Sequence, residues 1–239
     1  MRVTAQPAYV LHTQAWRETS LLVEAFTRDF GRVGLVARGV RGARKRLSRS
    51  ALEPLQALRL DWSGRGELQT LGAAEPDGLP CALRGDRLLS ALYVNELMVR
   101  LTARNDANAW LFGRYAALLA DLPVVPAPGW RLRCFERDLM TALGYAMQLD
   151  TVADTGAPVA AAAWYDYVPE QGPVAAGAAA QGVRLRGSAL LALANAGDTP
   201  PGAEDLAALR RLMRMLIVNL AGRRGLESWR VLAESARVN

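Results

Sequence analysis

The sequence has little of the chemistry that most enzymes and metal proteins require. Its 239 residues include one histidine, His12, and two widely separated cysteines, Cys81 and Cys134. A catalytic Ser-His-Asp or Cys-His set would depend on that single histidine, and zinc sites need several cysteines or histidines. Glycine motifs of the types GxGxxG, GxxxxGK[ST] and GxSxG do not occur. We therefore predict a protein that binds rather than catalyses, with no cofactor and no metal.

Two further absences concern the cellular setting. Two distant cysteines do not make a disulfide framework, which favours a reduced, intracellular environment. No run reaches about 18 uninterrupted apolar residues, and the first residues lack the apolar core of a signal peptide. We expect a cytoplasmic protein that does not insert into a membrane.

Positive charge is abundant, nearly all of it carried by arginine. The formal net charge is +6, and Lys45 is the only lysine. Residues 1–80 contain 12 basic and 8 acidic residues, against 17 and 15 in residues 81–239. The excess is concentrated in residues 38–49, named here the basic stretch, which has two glycines, no acid and six cations: Arg38, Arg41, Arg44, Lys45, Arg46 and Arg49. Such a density suits an anionic partner, above all nucleic acid.

The hydrophobic pattern changes near residue 80 and predicts an α+β fold. Short apolar runs bounded by turn residues predict five strands, at 8–13, 20–27, 32–39, 55–62 and 67–75. Five short strands favour a small closed barrel of the OB type, with an SH3-like barrel as the alternative. From about residue 83, apolar residues at helical spacing predict a mainly α-helical domain. We thus predict domains over residues 1–80 and 81–239, the second with an irregular Ala-, Gly- and Pro-rich insert at about 150–183.

The basic stretch is the strongest candidate for a DNA-binding site. It lies between the third and fourth predicted strands, where Gly39 and Gly42 let the backbone bend toward a phosphate chain. Neighbouring cations repel one another unless a polyanion binds them. Aromatic rings near strand ends are either base-stacking platforms or barrel core. From these rings, which include Phe30, we select Trp16 and Trp62 as further DNA-binding candidates.

A second basic set lies on the predicted helix at 130–145. Its members are Arg131, Arg133 and Arg137, beside Trp130 and Phe135. Guanidinium groups next to aromatic rings can hold a peptide that ends in a carboxylate and an aromatic side chain.

The chain resembles the bacterial recombination mediator family RecO. The resemblance is carried by ETSLLV, FTRDFGRV and VARG near the N-terminus, by ALYVNELMVRL, and by RCFERDLMTALGY. These motifs follow the family order over nearly the whole chain. The resemblance implies an OB fold followed by a helical domain. It also implies a non-enzymatic role in DNA repair, exerted near the nucleoid through the RecFOR pathway.

The resemblance further implies partners and site residues. RecO proteins bind single- and double-stranded DNA, anneal complementary strands, bind the acidic C-terminal tail of the single-strand binding protein SSB, and act with RecR to load RecA. It places the tail-binding carboxylate contact at Arg133 and DNA contacts in the basic stretch. Many members carry four zinc-binding cysteines. The equivalent positions here are Val152, Thr155, Ala175 and Ala178, none of which is cysteine. The resemblance therefore implies the zinc-free branch of the family.

The competing hypothesis is a protein adapter whose cations bind acidic tails without direct DNA contact. Competition between an acidic tail peptide and an oligonucleotide distinguishes the two.

Overall fold

The computed structural model of the protein describes residues 1–40, 49–79, 81–177, 182–222 and 226–230. These residues form two compact units, one of residues 1–123 with the segment that begins at Leu226, and one of residues 124–225. Within the described ranges no helix combines the length and apolar character needed to cross a membrane. The predicted division into domains of residues 1–80 and 81–239 stays a prediction.

The first unit begins with five strands that close into a barrel in the order β1-β2-β3-β5-β4. Neighbours are antiparallel except β3 and β5, which pair in parallel and close the barrel. This arrangement confirms the predicted barrel of OB type. The strands are β1 (Arg2–Trp16), β2 (Ser20–Thr27), β3 (Gly31–Ala37), β4 (Ala57–Ser63) and β5 (Leu68–Pro76).

Strand β1 is more than twice as long as its apolar run predicts. Its first half pairs with β4 and its second half with β2, so the strand runs along two neighbours. The pairing register shifts between Val3 and Gln6, where Ala5 has a positive φ of 50° and Pro7 follows. Proline and a bulge hide the strand period, which explains why the pattern showed only its apolar part.

The barrel interior is a single apolar cluster built from alternate residues of all five strands. Leu35, Leu58 and Leu60 are fully buried in it, and Trp62 is the largest side chain. Leu52, in a short 3-10 helix (Ser50–Leu52) that follows the basic stretch, joins the same cluster. The inner faces of the strands are thus packed together, and their other faces form the outer surface of the barrel.

Two helices of the first unit, α1 (Gly85–Leu101) and α2 (Ala109–Asp121), follow the barrel. Asn95 of α1 donates from Nδ2 to the Leu11 carbonyl at 2.9 Å and accepts from the Tyr115 hydroxyl at 2.5 Å. Tyr115 also meets Tyr9 edge-on, at 5.1 Å between ring centroids. Burial raises the pKa of Tyr115 well above its usual range, so this hydroxyl serves as a neutral hydrogen-bond donor.

The second unit surrounds helix α3 (Pro128–Ala142), which is buried along most of its length. A three-stranded antiparallel sheet follows in the order β7-β6-β8, formed by β6 (Trp164–Val168), β7 (Gly172–Ala175) and β8 (Val183–Arg186). Helices α4 (Gly187–Asn195) and α5 (Ala203–Ala221) complete the unit. The prediction of a mainly helical region after the barrel is thus confirmed. The segment predicted to be an irregular insert contains β6 and β7, and β8 begins at its end.

Candidate nucleic-acid interface

The β1–β2 turn and the start of the basic stretch meet at one end of the barrel. Leu21 pairs with Ala37, the last residue of β3, and the Val40 amide donates to the Thr19 carbonyl at 3.1 Å. Arg38 is exposed beside this turn. Arg17, in the turn itself, is also exposed and has a positive φ of 54°. The fold therefore places a second cation next to the basic stretch.

Arg17 did not emerge as a candidate from the sequence. It stands 21 positions before Arg38, and only the β2–β3 hairpin brings the two together. The available signal was local: a cation directly after Trp16, in a polar three-residue turn between two apolar strands.

Both described ends of the basic stretch are attached to the barrel. Val40 is buried in the core cluster at one end and Leu52 at the other. Leu55, just beyond, donates its amide to the Val10 carbonyl at 3.2 Å. Arg38 and Arg49 are exposed, and the remaining four predicted DNA-binding cations lie outside the described residues: Arg41, Arg44, Lys45 and Arg46. The stretch thus leaves and re-enters the barrel at defined points.

Next to this end, the outer barrel face is open. Cross-strand pairing puts Gln14, Leu22, Val36 and Thr70 in one row, because directly paired residues share a face. All four are exposed or half-buried. Trp16 is half-buried at the same end, opposite Ser20. The row offers polar and apolar side chains next to the barrel end that carries the two exposed arginines.

Farther down the same face, a buried ion cluster closes the surface. Glu24 accepts from Arg32 Nη1 at 2.7 Å and also pairs with Arg104, which comes from the segment after α1. The hydrogen bond to Glu24 raises the pKa of Arg104. Gly34 makes this possible, since a Cβ there would lie 3.0 Å from the Arg104 guanidinium carbon. The Arg104 side chain stays 28% exposed, which leaves a fixed cation at the edge of the open row.

The segment carrying Arg104 is locked to β3 by its backbone. The Asn105 amide donates to the Arg32 carbonyl at 2.8 Å. At Gly31, whose φ is +64°, a Cβ would lie 1.9 Å from the Asp106 carbonyl oxygen. A glycine inside a strand is a sequence sign of such a close approach, although it does not say which segment approaches.

The two predicted tryptophans have different environments. Trp16 is half-buried, at the end of β1 next to the turn. Trp62 is 2% exposed and packs edge-on against Phe30, with centroids 5.4 Å apart. The ring of Trp62 therefore lies in the barrel core, where it points inward with Leu60 on the same strand. Its role in DNA binding stays a prediction.

The three arginines predicted to bind the SSB tail all make internal contacts in the second unit. Arg133 is 8% exposed and pairs with the buried Glu136 one turn away on α3. Arg137 donates to the Leu193 and Ala194 carbonyls at 2.7 and 3.0 Å, at the end of α4. Arg131 pairs with Asp198 at 2.8 Å. Arg133 is an internal anchor in this structure, and its predicted contact with the tail carboxylate stays a prediction.

In the insert, an ion pair ties two strands to a turn. Asp166 accepts from Arg184 Nε at 2.9 Å and from the Gly177 amide at 2.6 Å. These hydrogen bonds, first that from Arg184, lower the pKa of Asp166. Among the described residues, no group of three His, Cys, Asp or Glu side chains could hold a metal ion. Of the positions equivalent to zinc ligands, Val152 is buried, Thr155 and Ala175 are exposed, and Ala178 lies outside the described residues.

Two family models match the chain. The model for the N-terminal part of recombination protein O matches residues 1–78. The model for its C-terminal part matches residues 83–230. Together they cover both the barrel and most of the helical region.

Curated relatives match over the full length. A DNA repair protein RecO from Xanthomonas oryzae pv. oryzae is 44% identical over 245 aligned positions, which cover 99% of each chain. Its counterpart from Nitrosococcus oceani is 44% identical and covers 100% of this chain and 96% of its own. Another, from Stenotrophomonas maltophilia, is 42% identical and covers 99% of each. The resemblance is confirmed, and the chain belongs to the recombination protein O family.

Proposed function

We propose that the protein acts in DNA repair and recombination as a mediator that binds DNA directly. It binds single- and double-stranded DNA, anneals complementary strands, and works with RecR to help load RecA onto SSB-coated single strands. Its family, whose curated members are named DNA repair proteins, supports the repair role. No chemical step is part of this function, because binding and exchange of strands are sufficient.

The observation that carries the DNA-binding part is the exposed arginine pair at the barrel end. Arg17 and Arg38 lie at the end of an open face, and Arg38 begins a stretch of six cations. Among the described residues, no carboxylate forms an ion pair with either of them. Arginines in this state exchange counterions for phosphates, which gives affinity without base recognition. Such a surface suits a protein that acts on any damaged strand.

Paired charge variants test this part. Arg17→Gln with Arg38→Gln removes two exposed cations from the barrel end. Arg210→Gln with Arg211→Gln removes two exposed cations from α5 of the other unit, with the same change in net charge. Binding of a single-stranded oligonucleotide is titrated over a range of salt concentrations. The barrel variant should bind more weakly. Its plot of log affinity against log salt concentration should be less steep by roughly 1.4, at about 0.7 for each of the two lost phosphate contacts. Equal slopes for the two variants would reject the interface.

The protein-binding part of the proposal concerns the SSB tail and helix α3. Arg131 is the best placed of the three arginines, because its side chain is 23% exposed and its partner Asp198 is 95% exposed. An incoming carboxylate can replace Asp198 at little cost, since exposed ion pairs are weak. By contrast, Arg133 would have to give up the buried Glu136.

A peptide titration tests the tail site. Arg131→Gln should weaken binding of an acidic SSB-tail peptide, and Asp198→Asn should strengthen it by removing the internal competitor. Neither should change oligonucleotide affinity beyond the small effect of net charge. Arg211→Gln is the matched control for lost charge. Equal peptide affinity in all three variants would move the tail site away from Arg131.

A further inference from the structure

A cleft opens at the barrel end opposite the β1–β2 turn. It has a volume of about 400 Å³ and lies between the start of β3, the end of β4 and the β4–β5 turn. Barrel mouths are common places for ligands, and this volume is at the small end of the range for ligand sites. The side chains that matter for recognition are Phe30, Trp62, Arg65, Gln69 and Asn105.

Two buried polar atoms of the lining residues have no hydrogen-bond partner in the described part of the protein. They are the indole Nε1 of Trp62 and the side-chain oxygen Oε1 of Gln69. Trp62 pairs with Leu71 on β5, and Gln69 stands two residues earlier on the same face. The two groups are therefore diagonal neighbours on the inner face of the barrel. Buried polar atoms without partners are rare and unfavourable, which marks the cleft as a place where a ligand can supply them.

The chemistry of these atoms defines what fits. An indole nitrogen only donates, and an amide oxygen only accepts, so the ligand must present an acceptor and a donor close together. The half-buried ring of Phe30 adds a flat apolar wall. Nucleobases combine an acceptor and a donor on one edge with a face that stacks on aromatic rings. The half-buried Gln69 must rotate for a base to reach both atoms.

The β4–β5 turn supplies a cation at the rim. Arg65 is exposed between Gly64 and Gly66, whose φ angles are 135° and 92°. A Cβ at Gly66 would meet nothing within 4 Å, so the turn leaves open space beside Arg65. A guanidinium here can hold the phosphate attached to a base that has entered the cleft.

We propose that this cleft binds one unstacked base of a single strand, with Trp62 and Gln69 on the base edge and Arg65 on the adjoining phosphate. The inference rests on the proposed function, because the strand must first be bound along the barrel. It gives the core tryptophan a role through its N–H rather than through its ring. The cleft takes any base that offers an acceptor beside a donor, which is consistent with binding that is indifferent to sequence.

Base-bearing and abasic strands of equal charge test the proposal. Affinities are measured for an oligothymidylate of about 10 nucleotides, within the usual site size, and for an abasic phosphodiester of the same length. The ratio of the two affinities reports base contacts alone. Gln69→Leu should lower this ratio by about five- to tenfold. Gln171→Leu, at an exposed glutamine of the second unit, is the matched control and should leave it unchanged.

Two further variants separate the roles within the cleft. Arg65→Gln should weaken both strands equally and keep their ratio, since a phosphate contact does not depend on the base. Phe30→Leu keeps apolar contact with Trp62 and removes the flat wall, so it should also lower the affinity ratio. This variant tests the cleft independently, should Gln69→Leu fail to fold.

The outcomes distinguish this inference from the proposed function. If wild type binds neither strand, the proposed function fails. If wild type binds with the expected salt dependence but Gln69→Leu and Phe30→Leu both keep the wild-type affinity ratio, no base enters the cleft. In that case the inference fails and the proposed function stands. A third outcome is that Gln69→Leu weakens binding of thymidine monophosphate but leaves the ratio of base-bearing to abasic strand affinity unchanged. That outcome assigns the cleft to free nucleotides and also overturns the inference.

Discussion

The arginines at the barrel end and those on helix α3 show how the same side chain serves opposite purposes. Arg17 and Arg38 are exposed and have no carboxylate partner among the described residues. Arg131, Arg133 and Arg137 each bind an acid or a helix end within their own unit. The first kind is available to an external anion, whereas the second holds the fold together. The local density of cations in the sequence does not predict whether an arginine binds an external anion or stabilises the fold. The presence or absence of a neighbouring carboxylate decides between these two roles.

Arginine pairs in this protein span a wide range of burial, which allows the comparison to be tested. The side chain of Arg133 is 9% exposed, Arg32 and Arg104 are 14% and 28% exposed, and Arg184 is 58% exposed. The cost of removing a partner should fall along this series, because solvent screens exposed charges.

The largest effect is expected at the most buried pair. Arg133→Met leaves the fully buried Glu136 carboxylate without its arginine. The free energy of unfolding should fall by about 3–5 kcal/mol, as measured by urea denaturation. The double variant Arg133→Met with Glu136→Leu should regain most of the loss, because the buried charge is gone as well. If the single and double variants were equally unstable, packing rather than charge would be the cause.

A smaller effect is expected at the ion cluster on the barrel face. Glu24→Gln removes the charge that Arg32 and Arg104 share. We expect a loss of about 1.5–3 kcal/mol, the usual worth of hydrogen bonds to charged groups, measured in the same way. Glu18→Gln, at an exposed glutamate of the β1–β2 turn, is the matched control. Equal unfolding midpoints for the two variants would contradict a structural role of the cluster.

The ion pair in the insert should reveal itself through pH. The folded-state pKa of Asp166 is lowered, first by Arg184 and then by the Gly177 amide. Its stabilising contribution is therefore fully present above the ordinary Asp pKa and is lost as pH falls through the lower folded value. The difference in Tm between wild type and Asp166→Asn should be largest near neutral pH and shrink below about pH 4. A difference that does not change with pH would mean that charge is not involved.

The smallest change in stability is expected at the barrel end. Arg17→Gln with Arg38→Gln should alter the free energy of unfolding by less than about 0.5 kcal/mol, as exposed positions usually do. The same variant should lose oligonucleotide affinity, so that binding and stability separate. A clear loss of stability would show that these arginines belong with the structural group.

Much of the fold was predictable because it depends on local periodicity. Alternating apolar residues predicted strands β2 to β5 close to their observed bounds. Helical spacing predicted a mainly helical region from about residue 83, where α1 to α5 lie. The long β1 was only partly predicted, because Pro7 and the bulge near Ala5 interrupt its pattern. The sheet in the insert was missed for a related reason: Ala and Gly carry little strand signal.

The candidate site was less predictable. Position along the chain correctly placed the basic stretch between β3 and β4, and Trp16 at an accessible turn. It left open whether Trp62 is barrel core, because the sequence does not show to which side of the sheet a ring at a strand end points. It also missed Arg104, which reaches Glu24 across 80 positions of sequence.

The sequence by itself determined the family, the barrel followed by helices, and the concentration of cations in residues 38–49. These follow from composition, periodicity and motif order, which are properties of neighbouring residues. Tertiary structure alone decided which arginines are exposed, which aromatic rings are core, and which buried polar atoms line the cleft at the barrel mouth. The physical reason is that burial and pairing depend on residues far apart in the chain, which come together only when the barrel closes and the helices pack.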